Sequence, residues 1–297
     1  MLRVNQISKR FGSIEAVKNV SFHVKEGSTF AFLGTNGAGK TTVIQMMIEL
    51  LKPDHGEIIF SDGNLQEVTG VVFQNHRLDE ELTIEENLIV RALLHGMGKK
   101  AAKERVAELL NLTNLTDKRQ RLYGKCSGGE KRKTDILRAL LHHPRFLILD
   151  EPTTGLDAES REEIWSLLRQ LQKEQGITIF LTTHYIDEAE YVDYVLIMHE
   201  GSIEVEGTPD ELRREYSKTV LTLYPLQKDN LIACLHDLEH SFVDDEDVLH
   251  VTLDSTIDAI PILHDGEPYL ADFSINKASL ENVFLQVTEQ IKRKVSV

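Results

Sequence analysis

A glycine-rich octapeptide has the residue types and the spacing of a phosphate-binding loop. It fits the pattern G-x-x-x-x-G-K-[ST], and its members are Gly34, Thr35, Asn36, Gly37, Ala38, Gly39, Lys40 and Thr41. Glycines let several backbone N–H groups turn toward one anion, and a helix that begins at the loop adds its positive dipole end. Lys40 supplies a charge for the β- and γ-phosphates, and the Thr41 hydroxyl suits Mg²⁺. We predict that this loop binds ATP.

Two adjacent carboxylates follow a second apolar segment. Residues 145–149 read as a buried strand, and Asp150 and Glu151 come directly after it. Open parallel sheets bind their ligands at the carboxyl ends of the strands. Because neighbouring side chains of a strand point to opposite faces, the strand must end at or just before Glu151 for both acids to reach one site. Asp150 would then hold Mg²⁺, and Glu151 would polarise the attacking water as a general base.

The elements predicted around these motifs indicate an α/β fold with a mostly parallel sheet. Short strands are predicted within residues 2–32, and further strands at 30–33, 57–60, 70–73, 145–149 and 177–183. Helices are predicted at 41–51 and 159–175. Residues 83–138 have a helical pattern that glycines interrupt at 124–130. These residues are predicted to form a helical insertion within the α/β core.

Composition narrows the class of protein. The chain has 297 residues, with 33 basic against 48 acidic side chains and a formal net charge of −15. That balance argues against a nucleic-acid partner, which needs a basic face. Cys126 and Cys234 are the only cysteines, so no disulfide framework is predicted. No apolar run approaches the roughly 18 residues that span a bilayer, and no signal peptide is visible. Any role at a membrane is therefore expected to depend on a partner.

Further motifs resemble those of the ATP-binding subunits of ATP-binding-cassette (ABC) transporters. The segment at 126–130, CSGGE, resembles the family signature LSGGQ and lies between the phosphate loop and the acidic strand. The other matches are Gln74 to the Q-loop, Asp157 to the D-loop, His184 to the switch histidine and Phe11 to the aromatic that stacks on adenine. The resemblance covers residues 2–207. It implies a P-loop ABC ATPase core, a parallel sheet plus an antiparallel β subdomain, with a helical subdomain at about 76–140.

The resemblance also implies a role for each matching residue. The catalytic residues would be Glu151 and His184, and the metal ligands Thr41, Gln74 and Asp150. ATP would contact Phe11, Val17, the phosphate loop, Thr42 and Gln74. The signature residues Ser127, Gly128, Gly129 and Glu130 would act on a nucleotide held by a second chain. This sequence departs from the family pattern at Cys126, where Leu is usual, and at Glu130, where Gln is common.

The signature has a physical reading of its own. Ser127-Gly128-Gly129 precedes a predicted helix, so it offers a second helix N-terminus with free N–H groups. One chain would thus own two anion-binding helix ends. The family resolves this with a head-to-tail homodimer, in which the phosphate loop of one subunit faces the signature of the other and ATP lies between them. Such a dimer has two-fold symmetry and holds two nucleotides.

Two segments indicate a branch of the family. Residues 78–88, LDEELTIEENL, and 278–284, ASLENVF, resemble the drug- and antibiotic-export branch of type-2 ABC exporters. The implied function is ATP hydrolysis that drives a separately encoded membrane permease and exports a drug, antibiotic or lipid-like compound. The chain would be cytoplasmic and peripheral on the inner face of the membrane. The alternatives are a soluble ABC ATPase of translation or repair and a binding regulator without turnover.

The pattern of elements changes in the last part of the chain. Strands are predicted at 220–226, 248–253 and 269–274, and helices at 229–241, 257–264 and 280–292. Residues 218–297 contain 6 basic and 14 acidic residues. We predict an ABC domain over 1–217 and a small acidic α/β accessory domain over 218–297, which we hypothesise regulates or stabilises the dimer. The ending at 278–284 has another interpretation, an amphipathic helix docked on its own domain.

Overall fold

The computed structural model describes residues 1–61 and 65–295. The chain divides into two compact units, Met1–Thr208 and a second that begins at Pro209. This division falls before the helix Pro209–Tyr216, whereas the sequence suggested a boundary after residue 217. That helix packs against the last helix of the second unit, which accounts for its place there.

The first unit contains strands and helices that alternate along most of its length. Its strands are β1 (Leu2–Phe11), β2 (Ile14–Val24), β3 (Thr29–Leu33), β4 (His55–Phe60), β5 (Thr69–Val72), β6 (Phe146–Asp150), β7 (Thr178–Thr183), β8 (Tyr194–His199) and β9 (Ser202–Gly207). Its helices are α1 (Lys40–Met47), α2 (Leu65–Val68), α3 (Ile84–Leu94), α4 (Lys99–Asn111), α5 (Gly128–Leu140) and α6 (Ala158–Gln175). Short 3₁₀ turns lie at Thr116–Lys118, Tyr123–Lys125 and Ile186–Tyr191.

Two sheets organise the first unit. Over the described residues, the main sheet has the order β5-β6-β7-β3-β8-β9, with parallel pairs from β5 to β8 and an antiparallel β8–β9 pair. A smaller antiparallel sheet has the order β2-β1-β4. This architecture confirms the predicted parallel core with an antiparallel β subdomain. The carboxyl ends of β5, β6, β7 and β3 lie at one edge, where the predicted site residues follow.

Aromatic side chains fill the core of the first unit. The Phe22 ring, on the small sheet, lies 5.2 Å from Phe32 and 5.9 Å from Phe180, both on the main sheet. Phe30 stacks on Phe180 at 6.0 Å. All four side chains are buried. Since ring pairs at these separations are attractive beyond their burial, the cluster fixes one sheet on the other.

The helical insertion consists of α3, α4 and α5. α3 begins at a capping box, in which Thr83 and Glu86 satisfy each other's backbone N–H groups, and α5 begins at the same motif formed by Ser127 and Glu130. The local structure departs from the sequence predictions at one helix end and at two strands. The helix expected at 41–51 ends at Met47, because Glu49 adopts a left-handed backbone with φ of 60°. β8 and β9 were not predicted.

The second unit is a small α/β fold. After α7 (Pro209–Tyr216) its elements are β10 (Thr219–Pro225), α8 (Lys228–Asp237), β11 (Phe242–Asp245), β12 (Val248–Leu253), α9 (Ala259–Gly266), β13 (Leu270–Asn276) and α10 (Leu280–Val295). The sheet is antiparallel with the order β11-β12-β10-β13, and its core includes Leu221, Leu231 and Val251. The order β-α-β-β-α-β is that of the split βαβ motif. In the described residues of both units, every helix is too short or too polar to cross a bilayer.

Candidate nucleotide site

The phosphate loop joins β3 to α1 and contains two glycines in left-handed conformations. Gly37 and Gly39 have φ values of 84° and 104°, a left-handed region that glycine enters without strain. A Cβ at Gly39 would overlap the carbonyl oxygen of Ala16, so packing also requires glycine there. Gly39 caps α1 without any side-chain hydrogen bond. The first amides of α1 are therefore presented to an anion rather than to a capping side chain.

Lys40 lies buried inside this loop. Its Nζ donates to the carbonyl oxygens of Gly34 at 2.6 Å and Thr35 at 3.1 Å, and lies 4.0 Å from Glu151 Oε1. Burial lowers the pKa of Lys40, while the carboxylates of Glu151 and Asp150 oppose the shift. The ammonium group is thus held within the loop, against acceptors that a phosphate chain can replace.

Asp150 is the last residue of β6 and is held by two hydroxyl groups. Thr182 Oγ1 donates to Asp150 Oδ1 at 2.7 Å, and Thr41 Oγ1 lies 3.3 Å from Asp150 Oδ2. Burial raises the pKa of Asp150; the Thr182 hydrogen bond opposes this shift and the Glu151 charge adds to it. A buried carboxylate beside a hydroxyl is a pair of hard oxygen donors, which is the set that Mg²⁺ prefers. The residues predicted as metal ligands therefore fit that ion.

Glu151 leaves the strand, as the sequence argument required. Its φ of 47° turns the chain out of β6, so that both acids reach the same side. Oε2 accepts from Gln74 Nε2 at 3.2 Å and from Thr154 Oγ1 at 3.0 Å. The Nδ1 atom of His184 lies 3.4 Å from the same oxygen and has no hydrogen-bond partner among the described residues. Glu151, Gln74 and His184 thus come together from three different strand ends.

The adenine side of the predicted site is less complete. Phe11 ends β1 and its ring is half exposed, so it is accessible to a stacking base. Val17 lies on β2 and is fully buried in the core. The structure therefore does not bring Val17 to the surface with Phe11. Thr42 follows Thr41 in the first turn of α1 and is half-buried.

The signature residues form the start of α5. Ser127 caps the helix, since its hydroxyl accepts from Glu130 N at 3.2 Å and its own N–H donates to Glu130 Oε2 at 3.0 Å. Lys118 and Arg121 contact the same carboxylate at 2.8 and 3.0 Å. Although burial raises it, the pKa of Glu130 is lowered overall by these hydrogen bonds. Glu130, predicted to act on a second chain, is thus engaged within its own loop.

The two signature glycines and Asp157 lie together. A Cβ at Gly129 would lie 2.8 Å from Ser160 Cβ, and one at Gly128 would lie 3.3 Å from a methyl of Leu156. Asp157 caps α6, accepting from Ser160 N at 2.8 Å and Ser160 Oγ at 3.0 Å. The glycines therefore permit a close approach between the start of α5 and the start of α6. These capping bonds lower the pKa of Asp157.

Sequence reasoning missed two residues that hold the site in place. Glu188 is 1% exposed, accepts from Thr183 Oγ1 at 2.6 Å and also accepts from Thr153 Oγ1. It thereby ties the loop after Glu151 to the end of β7. Arg132 is 3% exposed and donates to two carbonyls of the segment that carries Gln74. No local pattern marks either residue, because the contacts of Arg132 with residues 73 and 74 and of Glu188 with Thr153 join positions far apart in the chain.

Comparisons with known proteins bear on the whole chain. The family model described as ABC transporter matches residues 17–154. The doxorubicin resistance ATP-binding protein DrrA of Mycobacterium tuberculosis (strain CDC 1551 / Oshkosh) is 33% identical over 96% of this chain and 92% of its own. The Nod factor export ATP-binding protein I of Burkholderia orbicola (strain AU 1054) is 37% identical over 95% of both chains.

A solved structure repeats the architecture of the first unit. The ATP-binding cassette MJ0796, solved as a dimer in a post-hydrolysis state with ADP and Pi, has a TM-score of 0.63 and 28% sequence identity. The match covers 70% of this chain and 98% of that one. These relatives confirm the predicted ATP binding and ATP hydrolysis and favour a transport ATPase over the soluble alternative. The chain belongs to the family of ATP-binding subunits of ABC transporters and is an ATPase.

Proposed function

We propose that two copies of this chain bind two ATP molecules between them and drive a separately encoded membrane permease that exports a drug, antibiotic or lipid-like compound. The observation that carries the proposal is the convergence of Lys40, Asp150, Glu151 and His184 beside a helix N-terminus that lacks a side-chain cap. The chain's own signature lies at the start of a different helix. A second copy would complete the site with that signature.

Each group of the site has a distinct task in this proposal. The loop amides and Lys40 hold the phosphate chain, and an incoming phosphate oxygen replaces the two carbonyls that Lys40 now contacts. Thr41, Asp150 and the amide oxygen of Gln74 would hold Mg²⁺, since Gln74 already donates through Nε2 to Glu151. When bound, Mg²⁺ neutralises charge on the β- and γ-phosphates. Phe11 presents its ring to adenine.

Glu151 acts as the general base on the attacking water. Hydrogen bonds from Gln74 and Thr154 fix one carboxylate oxygen and leave the other, 4.0 Å from Lys40, directed toward the phosphate loop. His184 lies beside the first oxygen and can donate to the γ-phosphate. Glu188 does not touch the nucleotide; it positions the segments that carry these two residues.

Replacement of the general base tests the ATPase part of the proposal. Glu151→Gln keeps the size and the hydrogen-bonding capacity of the side chain but cannot take a proton, so kcat should fall at least about 100-fold. ATP binding should persist, and ATP should convert the variant from monomer to dimer in light scattering. Glu159→Gln, an exposed acid in the first turn of α6, is the matched control and should hydrolyse ATP normally. Wild-type turnover in Glu151→Gln would refute the assignment.

An apolar cleft supports the permease part. Its volume is about 320 Å³, and it is lined by Leu50, Phe73 and His95 among others. Leu50 is 68% exposed, and Leu94, next to His95 in the chain, is 73% exposed. Exposed apolar groups beside a cleft are typical of protein contact sites. Since Phe73 precedes Gln74, an apolar helix of the permease seated here would touch the segment that reaches Glu151.

Charge placed in the cleft tests this contact. Leu94→Glu and Leu50→Glu should abolish recovery of detergent-solubilised membrane protein with the tagged chain, while the ATPase rate of the isolated subunit stays within about twofold. Ile14→Glu is the matched control, because Ile14 is also 68% exposed but lies on the small β-sheet. Equal recovery with all three variants would contradict the proposed docking site.

The cargo class and the role of the second unit are proposals that rest on different grounds. Export of a drug, antibiotic or lipid-like compound is supported by the named functions of the relatives, doxorubicin resistance and Nod factor export. The second unit has its own buried core, which supports an accessory role in regulating or stabilising the dimer. Removal of residues from Pro209 onward should change dimerisation or the ATPase rate. Unchanged values of both would end that proposal.

A further inference from the structure

One face of helix α5 is fastened to the segment 71–76, which contains Gln74. Arg132, Asp135 and Arg138 recur at every third residue along this helix. Their side chains bind, in that order, the carbonyls of Phe73 and Gln74, the Nδ1 atom of His76, and the carbonyl of Val71. The helix therefore contacts the segment at several residues, and we expect the helix and the segment to move together.

Arg132 makes the contact nearest to the reacting groups. Its two terminal nitrogens donate to the carbonyl oxygens of Phe73 at 2.7 Å and Gln74 at 2.8 Å. The side chain is 3% exposed, and its Nε has no hydrogen-bond partner among the described residues. Burial lowers the pKa of Arg132 although Asp135 opposes the shift. A buried guanidinium costs solvation free energy, so stability alone does not account for it.

The same helix carries the signature at its N-terminus. Ser127 caps α5 and Arg132 lies five residues further on, about 7.5 Å along the axis at 1.5 Å per residue. Beyond Arg132, the amide of Gln74 donates to Glu151 at 3.2 Å. A continuous set of contacts thus runs from the helix end that a partner's nucleotide would touch to the general base of the chain's own site.

We propose that Arg132 is a positioning residue that couples the two nucleotide sites of the dimer. Nucleotide held by the second subunit and bound at Ser127–Gly129 fixes the position of α5. Through its two hydrogen bonds, Arg132 then fixes the position of the Gln74 backbone, and the Gln74 side chain orients Glu151. This inference rests on the proposed function, because it needs a dimer with ATP between the subunits. It explains why turnover in one site should depend on occupancy of the other.

Two arginine variants of the full-length chain test the coupling. Arg132→Lys keeps the charge but loses the planar fork that presents a separate nitrogen to each carbonyl, so kcat should fall at least about tenfold while the Kd for ATP stays within twofold. We also expect the rate to depend sigmoidally on ATP concentration in the wild type and hyperbolically in Arg132→Lys. Arg138→Lys is the matched control, since Arg138 binds a carbonyl of β5 from the same helix but does not hold Gln74. It should keep kcat within about threefold. Equal loss of kcat in both variants would overturn the proposal.

A double-mutant cycle with Gln74→Ala asks whether Arg132 acts through Gln74. If it does, the double variant should be no slower than Gln74→Ala alone, whereas independent effects would multiply. Multiplied losses would refute the coupling. If Arg132→Lys does not fold, hydrogen exchange in Glu151→Gln replaces it. Protection at 71–76 and at 127–135 should then rise at the same ATP concentration, and separate midpoints would refute the proposal.

The outcome for the proposed function can be read separately. The proposed function would be disproved if the wild-type protein did not hydrolyse ATP and the Glu151→Gln variant did not dimerise in the presence of ATP. If hydrolysis and dimerisation are both observed, but Arg132→Lys and Arg138→Lys lose kcat equally, only the coupling through Arg132 would be disproved.

Discussion

Two helices of the first unit begin at glycine-rich loops, and they begin in opposite ways. α1 starts at Gly39, whose left-handed backbone brings no side-chain cap to the helix. α5 starts at Ser127, which with Glu130 forms a closed capping box. The first helix end offers its amides to a ligand, whereas the second has already satisfied two of them within the chain. The phosphate loop is thus equipped to hold an anion alone, and the signature can only add to a site made elsewhere.

The basic side chains near the two helix ends also differ in what they contact. Lys40 lies inside the phosphate loop, where it donates to two carbonyls and lies 4.0 Å from Glu151 Oε1. Beside the signature, Lys118 and Arg121 are occupied by the Glu130 carboxylate. An incoming phosphate therefore meets a cation inside the loop at α1, whereas the Lys118 and Arg121 charges near α5 already contact a carboxylate. We expect nucleotide affinity to depend on the first loop and turnover to depend on both.

The largest expected difference is in ATP affinity. Lys40→Ala removes the charge that faces the phosphates and should weaken ATP binding at least about tenfold, because hydrogen bonds to charged groups contribute roughly 1.5–3 kcal/mol. Ser127→Ala should leave the affinity of the monomer within twofold and lower kcat instead. Calorimetric titration with ATP at low protein concentration measures both affinities. Similar losses of affinity would remove the distinction between the loops.

Gly129 in the signature serves packing, and alanine there should destabilise the chain more than alanine at Gly37. Gly129→Ala places a Cβ 2.8 Å from Ser160 Cβ, which is backbone-proximal and cannot rotate away. We expect the free energy of unfolding to fall by about 1–3 kcal/mol. The higher helix propensity of alanine should offset a small part of this loss. Ser160→Gly in the same chain should restore part of that loss. Denaturant unfolding of the single and double variants checks the pair, and additive losses would show that the contact is not the cause.

Glycine serves backbone conformation in the phosphate loop. Gly37→Ala meets no atom within 4 Å, but its φ of 84° is unfavourable for alanine. The expected loss is about 1–2 kcal/mol, measured without nucleotide. Because this loss comes from the backbone conformation and not from a steric contact, removal of a nearby side chain should not restore stability. A variant as stable as wild type would show that the loop relaxes to another conformation in the free chain.

The part of the site that the sequence predicted is the part encoded locally. The phosphate loop, Asp150 with Glu151, and His184 each sit within a few residues of the strand that presents them, so pattern and order locate them. Arg132 and its partner Gln74 are separated by 58 residues, and Glu188 and Thr153 by 35. Only folding brings such pairs together, and the sequence does not say which distant segment a buried charge will contact.

The fold was predictable to a similar extent. Central strands such as β6 and β7 are buried along their whole length and read as continuous apolar runs. β9 alternates and β11 is short and acidic, so neither gives the same pattern. The unit boundary depends on where α7 packs, against α10, which lies about 70 residues later in the chain. Long-range packing, not local propensity, decided those features.

The smallest predicted effect concerns two capping boxes that are alike in structure but differ in their assigned roles. Thr83 with Glu86 caps α3, and Ser127 with Glu130 caps α5, each through reciprocal bonds to backbone N–H groups. Thr83→Ala and Ser127→Ala should therefore each lower stability by about 1 kcal/mol in denaturant unfolding. Only Ser127→Ala should lower ATPase activity at equal protein stability, because only that hydroxyl lies where a second chain's nucleotide would bind. Equal ATPase activity of the two variants would mean that Ser127 acts only as a helix cap. The difference between the starts of α1 and α5 would then depend on their glycines alone.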